Sequence, residues 1–516
     1  MAVYNEQTFE VKQFTGLDLS PNGEGGTDNT LDICDNFSVG DDGSLIKRQG
    51  ITQYADPPGH FVNGATPIGV YDKVGITTHY IIISAPSVLA GQPGHTYYVD
   101  TTGAYVEMKF TDFAGAGTYQ GQATSCAQLN NTLYLTIDDA ILKGVWKWTG
   151  SGNAVFVTGS PHVNGIIGFH NLLFAYSTTV GQENRIWYTS NLITTGDSWV
   201  GFQDIQGGDG DYITALLPFK DKIIVFKNNS IWQLFVTADP ATWLAKLFHP
   251  SLGTFNKFSA EVYKNNYYFV HNTGVYSCDG STVTELSVTI RPLFQPMRTT
   301  GYISINRSWL YLGGLVPGSL NQQLLVYKLD SAFKAWTTMS TPMFSDVNNI
   351  IPSRAQGTSL VALDGSAKAY DSNQIYLGTN NGIYVLNQVA PLLATYTDIQ
   401  TRPAPAAYPI TCQVLTKQYN IGRLSRMKRN KYTYLYAQGK GAQITYSYIQ
   451  DNAAIGGKLV VGSDDFIEVY RIQGAQYFRV LQLRLVETST KPFLLTGFSF
   501  IIMLQRQASE SVVGQS

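Results

Sequence analysis

Charge is scarce in this sequence: Asp, Glu, Lys and Arg make up 14% of the 516 residues, and the formal net charge is −2. Proteins that read nucleic-acid sequence usually carry a basic surplus, and none exists here. Cysteine is scarcer still. Cys34, Cys126, Cys278 and Cys412 stand far apart in no CxxC or Cys/His pattern, which argues for free buried thiols in a reducing compartment. The histidines (His60, His79, His95, His162, His170, His249 and His271) include no pair at metal-ligand spacing. Catalytic signatures are missing too: no GxSxG elbow, no HExxH, no P-loop and no GxGxxG after a strand. The Ser-x-Asp-x-Gly-x-Thr-Trp boxes of sialidase-type propellers and the WD and kelch signatures are equally absent. The expectation is a protein that is not an enzyme and uses no cofactor and no metal. No apolar run is long enough to span a bilayer, and the start lacks the basic and apolar regions of a secretory signal, so the chain reads as a soluble protein made in the cytoplasm. Helical periodicity is also wanting, with no sustained i, i+3, i+4, i+7 apolar spacing between caps.

Strand signals are abundant. Aromatics reach 13%, with 32 Tyr and 25 Phe, and the 49 Gly and 20 Pro punctuate short apolar runs. One unit keeps returning: an apolar strand, a tight polar turn, a second strand with an aromatic. Lys222 to Phe226, the turn Asn228-Asn229-Ser230 and Ile231 to Leu234 form one copy, and Asn266 to Val270 followed by Val275-Tyr276 forms another. Strands this short cannot bury their own faces, so the units must stack on one another. Starts near Tyr80, Leu133, Leu172, Ile223, Tyr267, Leu310 and Ile375 give steps of propeller-blade length. The fold class expected is all-β: a β-propeller of six or seven blades over 51–390, then a C-terminal antiparallel β-sandwich over 391–504. Residues 1–50 read as an N-terminal arm and 505–516 as a frayed tail. A propeller needs a closing strand. Leu45, Ile46, Lys47 and Arg48, after the turn Asp41-Asp42-Gly43, are the candidate donor.

Two clusters have a chemical reading beside a structural one. Asp204, Asp209 and Asp211, interleaved with Gly207, Gly208 and Gly210, have the composition of a calcium loop, and equally of a solvated inter-blade turn. Lys417, Arg423, Arg426, Lys428, Arg429 and Lys431 form a basic cluster followed by Tyr432, Tyr434 and Tyr436. Such a cluster suits a charged strand entry, an assembly interface or phosphate contact. Strand alternation puts the three tyrosines on one face, where packing explains them.

Some stretches resemble a known family. Phe14-Thr15-Gly16-Leu17, Asp35-Asn36-Phe37 and Leu45-Ile46-Lys47-Arg48-Gln49-Gly50 open the chain. Later come Ile186-Trp187-Tyr188, the acidic turn at Asp209 to Leu217, Ile223 to Phe226 and Ser230-Ile231-Trp232. Their order resembles the propeller-type tail hub, nozzle and DNA-stabilisation (head-completion) proteins of short-tailed bacteriophages. That resemblance implies a structural virion protein of the tail or head-tail junction, assembled in the host cytoplasm. It implies a homohexameric ring below the portal and adaptor, next to tail fibre or tip proteins. Such a ring retains packaged double-stranded DNA and conducts it without sequence specificity. Under it, Lys417, Arg423, Arg426, Lys428 and Arg429 are the candidate assembly contacts. The competing reading is a receptor-binding or glycan-degrading propeller of a tail fibre.

Overall fold

The computed structural model describes residues 5–20, 28–53, 66–72, 79–86, 94–99, 105–111, 117–138, 142–190, 198–208, 210–294, 301–306, 308–314, 323–342, 351–354, 375–379, 382–386, 397–400, 406–419, 428–439, 441–450, 453–462, 467–473 and 477–504. Among them there is no α-helix; three 3-10 turns interrupt an otherwise all-β chain. Between Thr66 and Leu386 most described strands pair antiparallel with their sequence neighbours in groups of four, the last group taking its fourth strand from elsewhere in the chain, and Phe110–Thr111 pairs with Thr118–Tyr119 apart from them. The groups begin with Thr66–Asp72, Ala123–Leu129, Gly165–Phe169, Ile213–Phe219, Ala260–Tyr263, Gly301–Asn306 and Ile351–Arg354, and are called blades 1 to 7 here. These seven first strands neighbour one another in order, and that of blade 7 returns to that of blade 1. The arrangement is propeller-like, and the cycle is closed. All seven unit starts read from the sequence fall on the second strand of a blade.

The continuous apolar runs follow from this stacking. Inside a blade, alternate side chains point to opposite faces, and both faces are covered by neighbouring blades. Ile223 and Val225 pack towards blade 3, with Phe174 and Ile186, whereas Ile224 and Phe226 pack towards blade 5. Blade 5 repeats the split: Tyr267 and Phe269 face blade 4, and Tyr268 and Val270 face blade 6. The first two strands of blades 2 to 5 turn through pairs such as Asn130-Asn131 and His170-Asn171, with positive φ at Asn130, His170, Asn171, Lys220 and Lys264. Two-residue hairpins that match strand twist require that conformation, which Asn tolerates best of the residues with a Cβ.

The fourth strand of blade 7 comes from far away in sequence. Ile51–Gln53 pairs with Gly382–Leu386, with Ile51 opposite Leu386. This corrects the expected closing strand. Leu45–Lys47 instead pairs with Phe37–Val39 and with Leu494–Leu504, outside the cycle, and Arg48 lies beyond its end. Closure by an N-terminal strand is present, but it starts six residues later than the sequence suggested.

Most of the other described strands form two sheets around one core. The first holds Asn5–Lys12, Leu494–Leu504, Lys428–Gln438, Glu468–Gln473, Phe37–Val39 and Leu45–Lys47. The second runs Leu31–Asp35, Cys412–Thr416, Leu481–Glu487, Gln443–Gln450, Ala453–Val460, and continues the sheet of blade 6 through Asp35 beside Thr338. Val11, Phe14, Leu435, Leu483, Phe498 and Phe500 fill the space between them. The described strands within residues 1–50 are therefore no separate arm, since they belong to both sheets. Thr397–Gln400 and Ala406–Pro409, on the sequence-expected sandwich side of the boundary, extend the sheet of blade 7. The expected tail, 505–516, lies outside the described residues.

Candidate functional site

The residues that carried the resemblance converge on the junction between the cycle and the two sheets. Gly16 has φ +78, and a Cβ there would stand 2.6 Å from the Trp336 carbonyl, so only glycine lets the chain lie against blade 6. Leu17 then donates its N–H to that same carbonyl at 2.7 Å. Gly43, also at φ +78, turns back so that its carbonyl accepts from Phe14 N at 2.7 Å.

Arg48 is the centre of this junction. Its side chain is 3% exposed and its guanidinium grips Asp398 with two bonds, 2.8 and 2.7 Å long. Nε donates to Asn36 Oδ1 at 2.6 Å, and the two terminal nitrogens reach the carbonyls of Gln49 and Ser340. Asp398 also accepts from Ile51 N at 2.9 Å, which holds the first residue of the closing strand. Asn36, at φ 60, spans the same gap: its amide reaches the Thr411 carbonyl and Ser340 N donates to its Oδ1. Next to it Lys47, fully buried, donates to Glu487 and the Ser489 carbonyl, both at 2.5 Å. Burial pushes the Asp35 carboxyl up, while hydrogen bonds from Ser340 and Thr338 pull the other way. Buried charge is tolerated only where it is paired and fully hydrogen-bonded. The Arg48–Asp398 and Lys47–Glu487 pairs meet that condition.

The acidic turn and the Ser-Ile-Trp segment form a second, smaller assembly. Asp211 accepts from Asn229 N at 3.0 Å and from Ser230 Oγ at 2.8 Å, and Ser230 Oγ accepts from Trp232 Nε1 at 3.2 Å. They line a cleft of about 260 Å³ with Gln206 and Leu247. Asp204 faces elsewhere, in a two-bond pair with Arg185 at 2.8 and 3.1 Å. The calcium reading therefore finds its first and third carboxylates engaged with different protein partners, and Asp209 lies outside the described residues. Among the described residues no group of three or more His, Cys, Asp or Glu could hold a metal ion.

The basic cluster is divided. Lys417 binds Asp32 at 2.9 Å and the Asp18 carbonyl, and Lys428, fully buried, donates to the Arg479 carbonyl at 3.0 Å. Both serve their own chain. Arg429 is exposed, as is Lys431, which pairs with Glu6 at 2.7 Å. Arg423 and Arg426 lie outside the described residues. Thr433, Leu435 and Ala437 point into the core; Tyr432, Tyr434 and Tyr436 share the opposite, half-buried face. The Arg471 guanidinium sits 4.8 Å from the Tyr432 ring and Lys12 5.4 Å from Tyr436. The four cysteines form no disulfide, and burial raises each thiol, Cys126 to about 12, so they stay protonated and unreactive at neutral pH. Asp398 and Glu487 escaped the sequence reading, because an isolated acidic residue gives no local sign of its partner.

No protein-family model and no curated protein matches the sequence. Among solved structures, YCF48 bound to a D1 peptide is similar with a TM-score of 0.39 and 11% identity, over 67% of this chain and 97% of that one. The Pan2 WD40 domain of Neurospora crassa gives 0.38 and 11%, over 67% and 96%. A Bacillus subtilis family 43 arabinoxylan arabinofuranohydrolase gives 0.26 and 11%, over 88% and 99%. At such scores the likenesses decide nothing about activity, and the closed cycle rests on this chain's own strand pairing.

Proposed function

We propose that this chain is a structural virion protein of the head-to-tail junction or short tail of a bacteriophage. In this reading it forms a ring of six copies below the portal and adaptor, retains the packaged DNA and conducts it at ejection. The finer architecture proposed with it is a seven-bladed propeller joined to a C-terminal β-sandwich. The observation that carries the reading is where the family-like residues fall. Gly16, Asn36 and Arg48 lock two β bodies together, Lys47 joins the two sheets of one of them through a buried ion pair, and Asp211, Ser230 and Trp232 tie the entry of blade 4 to that blade's second turn. A segment order shared for the sake of rigidity suits a load-bearing ring component. The low overall charge agrees with DNA that must slide, since every neutralised phosphate adds salt-dependent affinity.

The deciding experiment adds the purified protein to portal–adaptor complexes of the phage that encodes it, viewed by negative-stain microscopy. A six-fold ring below the adaptor is expected. A protein that stays monomeric there and is missing from purified virions overturns the proposal, and turnover of a host glycan would favour the tail-fibre alternative.

A further inference from the structure

The axis of the cycle is poor in charge. Its seven first strands, which neighbour one another in order, hold only Asp72, Glu261 and Arg354 as charged residues. Asp72 and Arg354 end their strands, and Glu261 is buried, its Oε2 accepting from Ile305 N at 2.7 Å. Lys257 enters this space from outside the strands. It belongs to the 3-10 turn Lys257–Ser259, which leads directly into the first strand of blade 5. Asn256 caps that turn, its Oδ1 accepting from Phe258 N at 2.8 Å. Ser259 Oγ donates to the Gly301 carbonyl of blade 6 at 2.5 Å, so the turn is held at both ends.

Cys126 shows how far the lysine reaches. Lys257 and the Cys126 thiol act on each other electrostatically, although Cys126 lies in the first strand of blade 2, three blades away around the cycle. The thiol is held on its own side: Sγ donates to the Ile68 carbonyl at 3.4 Å, and a Cβ on Gly69 would stand 2.4 Å from the sulfur. The lysine side chain therefore extends across the axis. Both residues are half-buried. Among the described residues the ammonium makes no hydrogen bond and no ion pair. Its Nζ lies 4.9 Å from the Phe258 ring centroid, and that ring is 6.3 Å from the Tyr302 ring. With no carboxylate to offset it, burial brings the Lys257 pKa down to about 7. The buried lysines Lys47, Lys227 and Lys428 each donate to a carboxylate or a carbonyl. Lys257 alone of these four lacks an acceptor, a condition that folded proteins seldom leave uncorrected.

We propose that Lys257 is an anion-binding residue at the axis of the cycle, and that its ligand is a monocarboxylate with an apolar body. One positive charge beside uncharged strands matches one negative charge. A phosphate dianion would bring a second charge with nothing to pair it, and an unpaired charge held away from water is costly. The Phe258 and Tyr302 rings, side by side at the same end of the axis, offer apolar contact to the body of the acid. Two sources share this chemistry: a free carboxylic acid, and a glutamate side chain on a peptide. The inference goes beyond the ring reading above and does not depend on it.

The test is calorimetric titration of the full-length protein with sodium benzoate, with the blocked dipeptide acetyl-Phe-Glu-amide, and with inorganic phosphate at matched ionic strength. Benzoate or the dipeptide should bind with a dissociation constant on the order of 1 mM. The tighter of the two identifies the source that the site prefers. Lys257→Met should weaken this binding at least about tenfold, and it should melt no lower than wild type because it removes an unpaired charge. Lys246→Met, at an exposed position on the rim of blade 4, should bind as wild type does. In the wild type, benzoate should also slow acetylation of Lys257 by acetic anhydride, a readout that serves even if Lys257→Met does not fold. Phosphate binding as tight as that of the carboxylates overturns the inference, as does a wild type that binds neither carboxylate. Undiminished binding by Lys257→Met, an equal loss in Lys246→Met, or unslowed acetylation overturns it as well.

Discussion

The blades and the junction beside them are held together by different physics. A blade is built from partners close in sequence and packs two apolar faces, as Ile223 with Val225 and Ile224 with Phe226 show. The junction joins residues 350 and 440 positions apart through Arg48–Asp398 and Lys47–Glu487, all buried. Loss of one apolar contact in a blade leaves several others on the same face. Loss of one ionic partner at the junction leaves an uncompensated charge away from water. Stability should therefore be diffuse in the cycle and concentrated at the junction.

The largest effect expected is that of Arg48→Met. It strands the Asp398 carboxylate, whose remaining contact in the network is Ile51 N, and breaking a buried pair in this way costs roughly 3–5 kcal/mol. Urea unfolding of the two forms measures it. Adding Asp398→Leu should recover most of the loss, because the charge left behind, more than the missing attraction, is the cost. A shift within 1 kcal/mol for the single variant would erase the contrast drawn above.

Blade 5 provides the next largest effect, and it depends on pH. His271 is buried, stacked 5.9 Å from Phe255 and bonded to Thr273 at 2.9 Å. Burial, with His249 nearby, lowers its pKa to about 4 from the usual 6.5. Between these values the unfolded chain binds the proton and the folded one does not, so stability falls as pH drops from 6.5 towards 4. The depressed pKa corresponds to roughly 3 kcal/mol lost over that window. His271→Gln should flatten the decline in a pH series of melting curves. An equally steep decline in the variant would assign it to other groups, Asp35 not among them, since its raised carboxyl pKa acts in the opposite direction.

The contrast also explains what could be read in advance. Runs such as Ile223 to Phe226 and turns such as Asn130-Asn131 announce a blade because every partner lies within the same few dozen residues. The second strands of the blades were legible for that reason, whereas their number was left at six or seven. The closing strand was displaced because Leu45–Lys47 and Ile51–Gln53 are both short apolar strands, and only contacts with residues past 380 distinguish them. The basic cluster misled in part. Lys417 and Lys428 look like surface charge in sequence, yet each ammonium group donates to a carbonyl of a distant segment.

A smaller effect should follow from Ile224→Val, which removes one methyl from the blade 4–5 core and should cost about 0.5–1.5 kcal/mol. Combined with Arg48→Met, the two losses should add, because the sites share no partner. Marked non-additivity in a double-mutant cycle would mean that the junction transmits strain into the cycle.

The smallest effect belongs to the rim of blade 3. Asp204 is 51% exposed and Arg185 25%, so their pair should contribute no more than about 1 kcal/mol, less in high salt. In Asp204→Asn the guanidinium keeps its place 3.6 Å from the Phe202 ring centroid, which makes the loss smaller still. Chemical unfolding at low and high salt measures it. A loss well above 1 kcal/mol would make this rim part of the folding core. A near-neutral result means that the rim is not required for folding.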